Sequence, residues 1–263
     1  MQQESLTIAL LQRSLIDGNV EVNLRAFETM IGQLPAGVDI IMLPETFTTG
    51  FSAAFALHLE SHLGRSVQWM QTHARERNAL VCGTVAVSEG NQRFNRFYFA
   101  YPDGQVEWYD KRHLFAYAGE DAQFTPGRMQ KIFTYLGWRI CPQVCYDIRF
   151  PEWSRNFGQY DLLLYPASFP AARDYAWRTL LAARAIENQA YTAGCNRVGN
   201  DGLGASYRGS SQIIAPSGRI LHQLDPNATG AVIGECSMEF LQAHRKKYPF
   251  LRDADGFEFT ESR

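Results

Sequence analysis

Trp138-Arg139-Ile140-Cys141-Pro142-Gln143-Val144-Cys145-Tyr146-Asp147-Ile148-Arg149-Phe150-Pro151-Glu152 is the stretch on which the fold turns. Its first half is an apolar run that follows Gly137 and reads as a strand running to Cys145. Pro151 suits the first turn of a helix, because its fixed φ is already helical and its missing N–H would be unpaired there anyway. Cys145 therefore falls at a strand-to-helix elbow. Such a turn exposes one side chain and aims nearby backbone N–H groups at a single point, the logic of an oxyanion hole. Taken alone, a cysteine in an apolar run is more often core than chemistry. Cys141 does not turn it into a metal site, since a C-x3-C without further Cys or His partners is no zinc pattern.

Outward from this elbow the chain alternates between two periods. Upstream, Ile132–Tyr135 pairs as a hairpin with the Trp138 strand, and Phe94–Tyr101 pairs with Val106–Tyr109 across Pro102-Asp103-Gly104. Leu6–Leu11, Val38–Leu43 and Leu80–Val87 are buried strands, separated by helices expected over Val20–Leu34 and Ser61–Arg77. Downstream come a strand over Asp161–Tyr165, a helix over Tyr175–Gln189, and strands near Thr192–Asn196, Ser211–Ala215, Ile220–Leu224 and Ala231–Glu235. Strand–helix alternation gives α/β layering, and the hairpins add antiparallel pairs, so a uniformly parallel doubly wound sheet is excluded. Two mixed β-sheets with helices outside fit the pattern. With no repeat or linker, residues 1–263 read as a single domain, and the charged, aromatic tail from about His244 as a C-terminal arm.

Composition narrows the class. Of 263 residues, 46% are apolar and 20% charged, and the net charge of -2 offers no basic footprint for nucleic acid. No apolar run reaches the length of a membrane span, and Met1-Gln2-Gln3-Glu4 lacks the basic-then-apolar plan of a signal peptide. The five cysteines, at 82, 141, 145, 195 and 236, are odd in number and irregular in spacing. That argues against a disulfide framework and predicts a reducing, cytoplasmic setting.

Two further residues share the position of Cys145 at a strand's end. Glu45 follows Val38–Pro44, and Lys111 follows Val106–Asp110. Singly, each has a bland reading, as a capping carboxylate and a solvated cation. Together they supply what a mostly protonated thiol needs: a base to take its proton and a cation for the negative charge that follows. Gly-x-Ser-x-Gly is absent, as are a phosphate-binding loop and a dinucleotide fingerprint.

Leu43-Pro44-Glu45-Thr46-Phe47, Tyr109-Asp110-Lys111-Arg112-His113-Leu114-Phe115 and Val144–Glu152 resemble, in order and setting, the Glu, Lys and Cys motifs of the nitrilase-like carbon–nitrogen hydrolases. The resemblance implies a four-layer αββα sandwich, a homodimer and a Glu45–Lys111–Cys145 triad. It calls for no metal or organic cofactor. Gly119-Glu120-Asp121-Ala122-Gln123-Phe124-Thr125-Pro126-Gly127 is similar to the segment that carries a second glutamate in the family, which makes Glu120 a positioning residue. Ala183–Tyr191 and Gly194–Gly199 add a likeness to the ω-amidase branch, which hydrolyses the terminal amide of small ω-monoamides such as 2-oxoglutaramate.

The mechanism so implied has Cys145 attack the amide carbon with Glu45 as base. Lys111 and the Tyr146 N–H hold the oxyanion, ammonia leaves, and water opens the thioester. The partners are then a small amide and water. Arg173, between a strand end and a helix start, is the candidate for a substrate carboxylate, against the bland reading of a surface arginine. Arg149 and Glu187 read as structural ion-pair residues near the site. Hydrolysis of N-carbamoyl amino acids or nitriles is the same-class alternative; a non-catalytic binding protein is the different-class one.

Overall fold

The structure, a computed structural model, describes residues 3–51 and 58–260. In chain order its regular elements are β1 (Ser5–Gln12), α1 (Val20–Gly32), β2 (Ile40–Met42), β3 (Glu60–Ser61), α2 (Arg65–Arg77), β4 (Leu80–Glu89), β5 (Gln92–Ala100) and β6 (Val106–Asp110). They continue with β7 (Phe133–Tyr135), β8 (Trp138–Pro142), β9 (Leu162–Ala167), α3 (Asp174–Asn188), β10 (Tyr191–Asn196), β11 (Val198–Asn200), β12 (Ser206–Arg208), β13 (Gln212–Ile214), β14 (Ile220–Gln223), β15 (Gly230–Ser237) and α4 (Met238–Lys247).

Two mixed sheets result, with orders β15-β1-β2-β4-β5-β6 and β14-β13-β10-β9-β8-β7. Each is built alike. Three parallel strands, β1-β2-β4 in one and β8-β9-β10 in the other, are flanked on both sides by antiparallel neighbours. Residue parity sorts the core. Leu6, Ile8, Leu10, Ile40, Met42, Phe97 and Phe99 join a cluster with Trp138, Ile140, Leu162 and Ile213 of the second sheet. Their alternates Ala9, Leu11, Ile41, Val81 and Tyr98 pack instead against Leu24, Phe27 and Ile31 of α1 and Val67, Met70 and Ala74 of α2. Burial on both faces explains why these strands read as continuous apolar runs. Trp177, Leu181 and Ala185 of α3 and Leu241 of α4 cover the second sheet. The fold is a four-layer αββα sandwich.

Four local readings change. The helix expected from Ser61 starts at Arg65, because Glu60 and Ser61 pair with Val87 and Ser88 of β4 and Leu63 takes a left-handed φ of 59°. The Glu60 carboxylate then accepts from the Ser66 N–H at 2.7 Å and caps the new end. Strand β8 stops at Pro142, three residues before Cys145. Pro151 opens a single 3-10 turn, Pro151–Ser154, where a helix was expected. The arm begins only after Lys247, since α4 runs through His244. Its docked face continues Met238 and Leu241 with Arg245, which bonds Asp161 at 2.9 Å and the Tyr160 carbonyl at 2.7 Å. A guanidinium in place of a third apolar residue hid that turn from a reading by periodicity.

Candidate active site

The parallel design brings four strand ends to one edge of the sandwich. Glu45 follows β2, Lys111 follows β6, Cys145 follows β8 and Ser168 follows β9. Ligand-handling groups in α/β sheets gather outside the carboxyl ends of strands for this reason.

At the elbow, Val144 is extended and Cys145 turns to φ 42°, a left-handed conformation that a non-glycine residue adopts only under constraint. The constraint is Asp147. Its carboxylate accepts from the Val144 N–H at 3.0 Å, the Tyr109 hydroxyl at 2.9 Å and the His113 N–H at 2.8 Å. One buried side chain thus ties the Cys145 turn to both flanks of Lys111. From the other side Arg184 of α3 donates to the Ile148 carbonyl. The turn Cys145–Arg149 starts at the cysteine, so its leading N–H groups, Tyr146 included, have no acceptor within the turn.

Glu45, Lys111 and Glu120 are all buried. The Lys111 ammonium donates to Glu45 Oε1 at 2.8 Å and to Glu120 Oε2 at 2.8 Å. Asn95 Nδ2 donates to the same pair, to Glu45 Oε1 at 2.9 Å and Glu120 Oε1 at 3.0 Å. Glu45 Oε2 accepts from the Ser168 N–H at 2.9 Å, and Glu120 Oε2 from the Phe115 N–H at 2.6 Å. Burial opposes the charge on Lys111, but Glu120 and Glu45 outweigh it and raise its pKa, so it stays an ammonium. Burial, with Glu45 nearby, pushes the Glu120 carboxyl up against the pull of Lys111.

Cys145 is 8% exposed, and its thiol lies within the electrostatic reach of Glu45 and Lys111. Burial first, then the Glu45 charge, push the thiol well up, more than Lys111 draws it down. The resting group is a thiol. Burial and the neighbouring glutamate thus favour the thiol over the thiolate at Cys145, against the pull of Lys111.

A narrow pocket of about 20 Å³ descends to Cys145 between Phe51, Phe115, Tyr146 and Phe169, and an outer vestibule of about 470 Å³ shares Phe51, Phe115 and Arg173 with it. Arg173 lies in its wall, its guanidinium 5.0 Å from the Phe115 ring centroid. Arg149 is there too, 5.7 Å from the Phe169 ring. Glu187, expected to pair near it, bonds Arg184 at 2.7 Å instead. Among the described residues neither pocket arginine has a carboxylate partner. All the expected positions, Glu45, Lys111, Cys145, Glu120, Tyr146 and Arg173, thus meet at one place. Asn95, Asp147 and Ser168 were not foreseen, and Arg149, expected as a structural ion-pair residue, lines the pocket with no ion-pair partner among the described residues. Asn95 left one signal, a polar residue inside the apolar strand Phe94–Tyr101.

A thiol, a carboxylate and an ammonium converging at the strand ends of an αββα sandwich make the frame of a hydrolase that acts on carbon–nitrogen bonds. Residues 7–246 match the carbon-nitrogen hydrolase family, and the chain belongs to it. The omega-amidase YafV of Escherichia coli K12 is 46% identical over 254 residues, 96% of this chain and 98% of that one. The 2-oxoglutaramate amidase of Bacillus subtilis is 33% identical, over 94% of this chain and 96% of its own. Among solved structures, the CN-hydrolase superfamily protein XC1258 of Xanthomonas campestris, which carries an arsenic adduct in its active site, superposes with a TM-score of 0.95. It is 38% identical, across 98% of this chain and 100% of that one.

Proposed function

We propose that this chain is an ω-amidase, hydrolysing the terminal amide of a small carboxylate-bearing monoamide, such as 2-oxoglutaramate, to a carboxylate and ammonia. The observation that carries the reading is the pairing of Cys145 with two arginines, Arg149 and Arg173, that lack carboxylate partners among the described residues, in one narrow pocket. The names of the E. coli and B. subtilis relatives agree with it.

Glu45 takes the Cys145 proton as the sulfur attacks the amide carbon. The oxyanion lies between the Lys111 ammonium and the Tyr146 N–H, where fixed charge in a dry site is most effective. The tetrahedral intermediate collapses as Glu45 returns the proton to nitrogen, and ammonia leaves a thioester. Water, deprotonated by Glu45, then attacks the thioester and releases the acid and the thiol. Glu120 positions Lys111. Arg149 and Arg173 take the distal carboxylate, for which a planar guanidinium is well matched.

A single domain over 1–263, a homodimer and a cytoplasmic setting belong to the same proposal. Exposed Phe250, Phe257 and Phe259 on the arm support pairing, and sedimentation velocity reads the dimer directly. Ammonia release across small ω-monoamides, neutral amides, carbamoyl amino acids and nitriles tests the activity. Carboxylate-bearing monoamides are expected to turn over fastest; preference for carbamoyl compounds or nitriles would overturn the reading.

A further inference from the structure

The four-membered ring of Glu45, Lys111, Glu120 and Asn95 contains one group, Asn95, to which the mechanism above assigns no role. Asn95 projects from β5, 1% exposed, and its own carbonyl accepts from the Lys111 N–H at 3.0 Å. Its amide nitrogen has two hydrogens and spends both on the two carboxylates, opposite the ammonium that bridges the same pair. The reverse orientation of the amide would set an acceptor against two acceptors. Accordingly the nitrogen faces inward, and Asn95 Oδ1 is left buried with no partner among the described residues. An orphaned buried oxygen is costly. The inward N–H groups each meet a carboxyl oxygen, which wants a donor and not a second acceptor.

The ring holds two carboxylates and one ammonium, a net negative charge in a dry site. Donors to a carboxylate favour its ionised form; removing them favours protonation. We propose that Asn95 is a positioning residue that keeps Glu45 and Glu120 ionised around Lys111, and so sets the pH below which Cys145 loses its proton acceptor. Among the described residues the other charged or titratable groups facing the site are Cys145 itself, Tyr146, Arg149 and Arg173 in the pocket wall, and Tyr207 of β12, whose hydroxyl is engaged by Asp201 at 2.8 Å. None of these bonds the Asn95 amide.

The proposal rests on Glu45 acting as the base for Cys145, and the test needs no amide substrate. Iodoacetamide alkylates the thiol: the Sγ–H proton passes to Glu45, a carbon–sulfur bond forms, and iodide leaves. The rate at Cys145, followed by mass spectrometry from about pH 5 to pH 9, has an acid limb where the carboxylate pair protonates. In Asn95→Ala the midpoint of that limb is expected to rise by about one pH unit, a roughly tenfold slower reaction on its acid side. In Asn95→Asp, with a third carboxylate in the ring, it should rise further. A lowered plateau with an unmoved midpoint would mark a merely structural residue and overturn the proposal. Glu45→Gln separates the two assignments. Loss of the acid limb in that variant supports Glu45 as base, whereas an intact limb removes the base and with it the role given to Asn95.

Discussion

At the scale of single residues, the arrangement assigns unlike consequences to three neighbours. Cys145→Ala deletes one sulfur from a mostly enclosed site and should abolish hydrolysis while the melting temperature stays within a few degrees. Iodoacetamide should label Cys145 ahead of Cys82, Cys195 and Cys236, which are fully buried; faster labelling of any of those would count against the assignment. Glu45→Gln keeps the shape and removes the base, with a loss of roughly 10²–10⁴ in kcat for both thioester formation and breakdown. Lys111→Ala differs in kind. It leaves two carboxylates buried without their cation, so beyond a comparable catalytic loss it should destabilise the fold by about 3–5 kcal/mol, read by urea unfolding. Activity in a folded Lys111 variant near that of the native chain would remove the lysine from the oxyanion.

Elements set the next level. Arg149 ends the elbow turn and Arg173 ends the short turn before α3, so two loops from one sheet supply the two guanidinium groups. In a closed pocket, deleting one charge-assisted hydrogen bond to the substrate should lower kcat/KM on carboxylate-bearing amides roughly 10- to 100-fold, in Arg149→Ala or Arg173→Ala alike. Neutral amides of similar size should change by less than about threefold. Most of the loss is expected in KM, with kcat falling where alignment at Cys145 suffers. Equal losses on both substrate kinds, measured by ammonia release, would take that arginine out of the substrate's reach. The same elements show why Arg173 was legible as a substrate contact and Arg149 only as a structural ion-pair residue. Arg173 stands in a loop between a strand end and a helix start, an address visible in the sequence. Arg149 sits among aromatic and charged residues in the Tyr146–Glu152 run, and in the fold it ends the turn Cys145–Arg149 at the pocket wall.

For the molecule as a whole, one ion cluster joins the C-terminal helix to the second sheet. Asp161 bonds Arg139 of β8 at 2.7 Å and Arg245 of α4 at 2.9 Å. Burial disfavours its charge, but Arg139 and Arg245 outweigh that and hold its carboxyl below the usual aspartate range. A group depressed in the folded state stabilises it fully above the unfolded-state value, about pH 4, and loses that contribution as pH falls through the folded value. Native stability should therefore drop on acidification below about pH 4, and Asp161→Asn should flatten this part of the profile, measured as melting temperature against pH. An unchanged acid slope in the variant would place the linkage elsewhere. Loss of the cluster should also free α4 and the arm, whose Phe257 and Phe259 rest on Phe157 and Trp153.

The sequence by itself determined the class of fold and pointed to the residues proposed for the site, because those signals are local. A strand buried on both faces has to be apolar throughout, a hairpin needs its turn residues, and a nucleophile elbow needs a strand and a turn within a dozen positions. Glu45, Lys111 and Cys145 were each legible as the residue just past a strand. What only the tertiary structure decided is how they are joined. Asn95 reaches Glu45 across 50 positions of chain, Ser168 reaches it across 123, and Asp147 fixes His113 and Val144 together. Those contacts follow from the order in which strands pair and the edge at which their ends meet. No periodicity within one segment encodes that order. The same holds for the resting thiol of Cys145, since its proton affinity is set by burial under the second sheet and by a carboxylate from the first.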